Sequence, residues 1–336
     1  MEKQALIEHF TIKGKTPQEI TELLADVKEL EDFIREHHVA LDQLQIPLLR
    51  LYITKLTNEE RNTMPRLLNL MRYFGATRQY DLNIYFISLL NSQGVIDRIK
   101  LRVDPEIRSQ VFDKLKEPPL GSDISVMPAY TSTLMDTLSQ SMERNDLRKA
   151  LAGNNHEIPR ESFAKEKEIF NHSDSLDEYL KGLNQRGIET LQNHCDQGII
   201  WFEQIITQDV VDYVKNNPEI MSATRVGNKL YTAKIPYDTV NFLKASDLDV
   251  KRYYACHCPF IRSSFLSNNP KIDPDWCYCS AGFGKFLYEV LFEEELEVEV
   301  LETPLTGSTL CRFSITIPEK IMEKMTPKVT YENDRY

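Results

Sequence analysis

The hydrophobic period changes at Pro218, and that change decides what this chain can fold into. Upstream, apolar residues recur about every 3.6 positions, as in Ile20, Leu23, Leu24, Val27, Leu30 and Ile34 of the stretch 17–38. Met64, Leu67, Leu68, Met71 and Phe74 repeat the spacing behind Thr57-x-x-Glu60, which reads as a capping box. Asp81 would cap a buried helix over 82–90, and 101–115 reads as one more helix. Downstream the period falls to two. Gly227-Asn228 sits between extended runs at 220–226 and 229–235, as a hairpin turn would. A third strand is expected over 252–258, ending at Pro259, and a helix over 282–292. In the last hairpin, Leu296, Val298 and Val300 oppose Glu297 and Glu299, while Cys311, Phe313, Ile315 and Ile317 alternate with Arg312, Ser314 and Thr316. The expected class is α+β, a helical N-terminal region followed by an antiparallel sheet with packed helices.

The strongest break is Glu117-Pro118-Pro119-Leu120-Gly121-Ser122-Asp123, which divides a helical region, 1–120, from a second part, 121–336. A long helix with Leu134, Met135, Leu138, Met142 and Leu151 on one side follows and ends at Gly153-Asn154-Asn155. Ser175-x-x-Glu178 opens another that runs to Cys195, and Thr207 caps a short one. A net charge of −11 argues against a reader of the phosphate backbone, so no nucleic-acid partner is expected. Met1-Glu2-Lys3-Gln4 lacks the basic and apolar regions of a signal peptide, and no apolar run is long enough to span a bilayer. The chain reads as cytoplasmic, with no membrane partner.

Five of the six cysteines fall in the last third of the chain: Cys256 and Cys258, Cys277 and Cys279, then Cys311. In a reducing compartment such clusters are ligands or reactive thiols more often than disulfides. On extended backbone, each C-x-C pair would point two sulfurs one way and turn His257 away. Ser280 would cap the helix behind the second pair, and Cys279 would lie at that helix's positive end, which favours a thiolate. Three readings follow. Four thiolates suit zinc, or an iron–sulfur cluster; Cys279 or Cys258 could act as a nucleophile; or the thiols are small buried hydrophobes, which fits Cys195 and Cys311 best. Arg262 could reach a carboxylate. Asn154-Asn155-His156-Glu157 is polar enough to line a site but reads first as a turn.

The block Tyr253-Tyr254-Ala255-Cys256-His257-Cys258-Pro259-Phe260, Cys277-Tyr278-Cys279-Ser280-Ala281-Gly282-Phe283 and Gly307-x-x-x-Cys311-x-Phe313 resembles the cysteine-bearing end of the 4-vinyl-reductase domain class. It is similar also to the L-2-amino-thiazoline-4-carboxylic acid hydrolase-like group of bacterial proteins. The resemblance covers roughly Glu219 to Pro318. It implies the α+β fold shared with haem-nitric-oxide-binding domains and with subunits of a vesicle-tethering complex, and a small-molecule-binding or sensing role. Cys256, Cys258, Cys277 and Cys279 are then the expected metal or ligand set, zinc the expected metal, and Arg262 and Cys311 the expected ligand contacts. Haem is not expected, since no histidine matches a haem ligand. A homodimer is compatible with this reading. The alternatives are a cysteine-dependent hydrolase of a small amino-acid-derived substrate, or a protein-interaction scaffold.

Overall fold

The computed structural model describes residues 3–90, 93–267 and 270–324. Its first five helices, Lys3–Ile12 (α1), Pro17–Glu36 (α2), Ile46–Asn58 (α3), Met64–Ala76 (α4) and Tyr80–Leu90 (α5), close around a core of their own. α2 begins at a full capping box: the Thr16 hydroxyl accepts from the Glu19 N–H at 3.2 Å, and the Glu19 carboxylate accepts from the Thr16 N–H at 2.8 Å. Ile20, Leu23, Val27, Leu30 and Ile34 face inward at the expected spacing. Thr57 opens no helix. It lies in the last turn of α3, with its hydroxyl donating to the Ile53 carbonyl at 3.0 Å. α4 starts after Thr63, where Pro65 in the first turn supplies the start signal.

From Val95 the chain enters a different core. Val95–Leu101 (α6), Pro105–Val111 (α7), Met127–Ser141 (α8) and Arg144–Leu151 (α9) bury Val95, Ile99, Leu134, Leu138 and Leu151 together with Trp276 and four of the cysteines. The helix expected over 101–115 narrows to α7, and the long one expected to end at Gly153 is split. Pro105 has no N–H to continue α6, and extended backbone at Met142 and Glu143 separates α8 from α9. The change of core thus falls between Leu89 and Val95, upstream of Pro118-Pro119.

Ala164–His172 (α10), Leu176–Gln197 (α11) and Gln208–Lys215 (α12) follow, α11 capped by Ser175 accepting from the Glu178 N–H at 3.2 Å. Between α11 and α12 lies a short hairpin, Ile200–Trp201 (β1) and Gln204–Ile205 (β2). The main sheet has four antiparallel strands: Thr224–Val226 (β3), Lys229–Ala233 (β4), Val298–Glu302 (β5) and Arg312–Thr316 (β6), in the order β3-β4-β6-β5. Gly227, at φ +59°, makes the β3–β4 turn expected of Gly-Asn. Between β4 and β5 come Thr239–Lys244 (α13), Leu248–Ala255 (α14) and Tyr278–Phe292 (α15); Glu319–Lys324 (α16) follows β6. The molecule is α+β. α15 lies across β5 and β6, with Ala281 among Phe313, Cys311, Val298 and Val300.

The expected third strand over 252–258 is instead the end of α14. Asp247 caps that helix by accepting from the Val250 N–H at 2.9 Å, and this start signal outweighs the strand-favouring Tyr253-Tyr254. Among the described residues no helix is long and apolar enough to cross a membrane.

Candidate functional site

The cysteines converge around the first turn of α15. Asp273, a side-chain cap accepting from the Asp275 N–H at 2.9 Å, starts a 3-10 turn at Pro274–Cys277 that runs directly into the helix. Cys277 and Cys279 are therefore helical, not extended, and their side chains diverge by about 200° around the axis. Ser280 lies inside the helix and caps nothing. Asp275, buried, accepts from Nε of Arg144 at 2.5 Å and of Arg148 at 3.0 Å, which clamps this turn to α9. Burial alone would raise the Asp275 carboxyl, but the hydrogen bonds from the two arginines outweigh it and hold the group below its ordinary value.

Cys256 is the C-cap of α14 and extended, as expected for that residue, and Cys258 begins a turn in which its carbonyl accepts from the Arg262 N–H at 2.9 Å. The Trp276 indole N–H donates to Cys258 Sγ at 3.2 Å. Cys311 enters from the strand side, just ahead of β6, and its carbonyl accepts from the Lys234 N–H at 2.9 Å.

The five thiols share one low-dielectric interior. Burial is the largest cause raising each of them, and neighbouring thiols add: Cys311, Cys258 and Cys277 on Cys256, and Cys311, Cys258 and Cys279 on Cys277. Cys279 is pushed up to about 12 and Cys311 to about 11. The thiolate expected at Cys279 is thus overridden by burial, since one helix end contributes less than full desolvation takes away. Among the described residues, no three cysteines, histidines, aspartates or glutamates converge as a metal cage.

The structure adds a residue to this cluster that sequence spacing did not. His156 Nε2 lies 3.9 Å from Cys279 Sγ, within reach of an S–H···N hydrogen bond. A close approach of two backbones puts it there. A Cβ on Gly282 would come within 2.5 Å of the Ala152 main chain and 2.6 Å of the Gly153 carbonyl, so only glycine lets α15 sit against the end of α9. Asn155, fully buried, then donates Nδ2 to the Leu151 carbonyl at 2.7 Å and accepts from Arg102 Nε at 3.1 Å, which locks the turn carrying His156. The Asn154-Asn155 turn is thus a turn and a site support at once. The visible signal was Gly282 inside an otherwise apolar helix, a residue whose reason is packing.

Lys234 and Phe283 complete the rim. The Lys234 ammonium lies 4.3 Å from the Phe283 ring centroid, and the His156 ring meets the same Phe283 edge-on. Among the described residues Lys234 forms no ion pair, while its charge lowers the Cys258, Cys279 and Cys311 thiols against burial. His257 turns from the sulfurs, as its position between two cysteines implied: its Nε2–H donates to the Ile235 carbonyl at 2.7 Å. Burial and then the Lys234 charge hold it neutral, down to about 3. Arg262 is buried and stacks on Tyr237. Cys195, outside the cluster, packs with the α11–α12 core.

A family model described as a family of unknown function, DUF6144, matches residues 218–322, the stretch that holds the sheet and all five clustered cysteines. No curated protein matches the chain, and no solved structure matches it. The likeness to the vinyl-reductase class and the hydrolase-like group therefore rests on the residues that carry it.

Proposed function

We propose that this chain is a small-molecule-binding or sensing protein whose ligand is anionic and meets it at the Cys279 end of the cysteine cluster. The observation that carries this reading is Lys234, a cation without a carboxylate partner among the described residues, standing on Phe283 beside a thiol–imidazole pair. An unpaired ammonium next to soft sulfur and a ring face suits a small carboxylate with a polarisable or electrophilic group. The vinyl-reductase resemblance supports binding in general terms. Among the described residues no three possible ligands converge as a metal cage, so the ligand is assigned to the Cys279 rim rather than to a metal among the four.

A second reading, a cysteine-dependent hydrolase, is favoured by the Cys279–His156 contact alone. There His156 would take the thiol proton as Cys279 attacks an acyl carbon, return it to the leaving group, and then take a proton from the water that hydrolyses the thioester to free acid and thiol. The thiol pushed up to about 12 weighs against it at rest.

The test is alkylation with iodoacetate and iodoacetamide, which share chemistry and differ in charge, followed by peptide mapping. Cys279 should prefer iodoacetate several-fold relative to Cys195, and Lys234→Met should abolish the preference. No charge preference at Cys279, or one that survives Lys234→Met, would refute the reading.

A further inference from the structure

Among the described residues, Arg262 is a buried cation without a carboxylate partner. It sits in the 3-10 turn Arg262–Phe265, 4% exposed. Nη2 donates to Ser88 Oγ at 3.1 Å, whereas Nε and Nη1 are buried and, among the described residues, meet no acceptor in good hydrogen-bond geometry. Among the described residues no carboxylate pairs with it. The Tyr237 ring covers one face at 3.7 Å from its centroid, and the Tyr253 ring stands at 5.5 Å. The groups that favour its charge are the Tyr237 and Tyr253 phenols and the Cys256 thiol, with Tyr237 close enough to hydrogen-bond as well as stack; none of them is a carboxylate, and His257 is held neutral. The less buried Arg66, Arg186 and Arg312 each reach a carboxylate.

A guanidinium cannot shed its proton to escape burial. A buried charge persists when something pairs with it and its N–H groups find acceptors. Two donors without acceptors on one enclosed cation mark the place of a missing anion. Stacking on Tyr237 fixes the guanidinium plane, so an acceptor must approach in that plane, as carboxylate oxygens do. One positive charge is balanced by one negative charge, which favours a monoanion over a phosphate dianion.

We propose that Arg262 anchors a second, buried site for a small carboxylate, separate from the Cys279 rim. It lies at the seam between the N-terminal helices and the cysteine-bearing half, because Ser88 belongs to α5 and Arg262 to the turn behind Cys258. Occupancy would tie the two cores together through one ion. The site stands on Arg262 and Ser88 alone, so it survives or fails independently of Lys234.

The experiment follows the thermal unfolding midpoint of the full chain at constant ionic strength while sodium chloride is replaced by sodium acetate or sodium phosphate. Saturation-transfer NMR on the acetate methyl protons runs alongside. Acetate should raise the midpoint to a plateau and show transfer, with phosphate weaker. Arg262→Lys should raise the half-saturating acetate concentration about tenfold or more, since lysine lacks the planar donors. If Arg262→Lys does not fold, transfer to the wild-type chain and its loss on competition with unlabelled formate decide the matter. Equal midpoints in all three salts without transfer, a response to chloride alone, or an unchanged response in Arg262→Lys would overturn the site.

Discussion

Asp275 shows how one carboxylate can hold a site in shape. It is buried and doubly bonded to Arg144 and Arg148, both more exposed than itself. Its folded value is depressed, so its contribution is fully present above the unfolded carboxyl value and is lost as pH falls through the folded one. Asp275→Asn should destabilise the chain by about 1–3 kcal/mol at neutral pH, with the deficit shrinking below about pH 4. Chemical denaturation of both proteins across that range checks it; a deficit that stays constant down to pH 2 would be contradictory. At this scale the sequence named the cysteines, Arg262 and the polar stretch that holds His156, but not Asp275 and not the nearness of His156 to Cys279. Their roles depend on contacts across 127 and 123 positions, which no local pattern encodes.

α15 carries the site, and Gly282 is where it meets the end of α9. Gly282→Ala would force the new methyl into the Ala152–Gly153 main chain, which has no flexible side chain to yield. The expected results are a loss of about 1–3 kcal/mol and the disappearance of any iodoacetate preference at Cys279, as His156 is displaced. Unchanged stability with the preference retained would show that the approach of α9 and α15 is not what positions the histidine. Elements were readable where the pattern was strict. The hairpin at Gly227-Asn228, the alternation of Cys311, Phe313, Ile315 and Ile317, and the Ser175 cap all stand as expected. α14 was misread because tyrosine and cysteine favour strands in general, and the Asp247 cap decides the case locally. The same error put the Cys277–Cys279 pair on extended backbone, when Asp273-Pro274 is a helix start.

Over the whole molecule, the α+β class was legible from the change of period, because core-facing periodicity follows secondary structure. The partition of the cores was not: helices α6 to α9 look like a continuation of the N-terminal region and pack instead with the cysteines. The decisive measurement is the order in which six thiols are alkylated by iodoacetate in native protein prepared with zinc and without chelator. The account predicts that Cys195 is modified first and Cys256 and Cys277 last, that Cys279 is the clustered thiol with the strongest preference for iodoacetate over iodoacetamide, and that zinc leaves the order unchanged. Zinc shielding Cys256, Cys258, Cys277 and Cys279 together until unfolding would contradict it and restore the metal site.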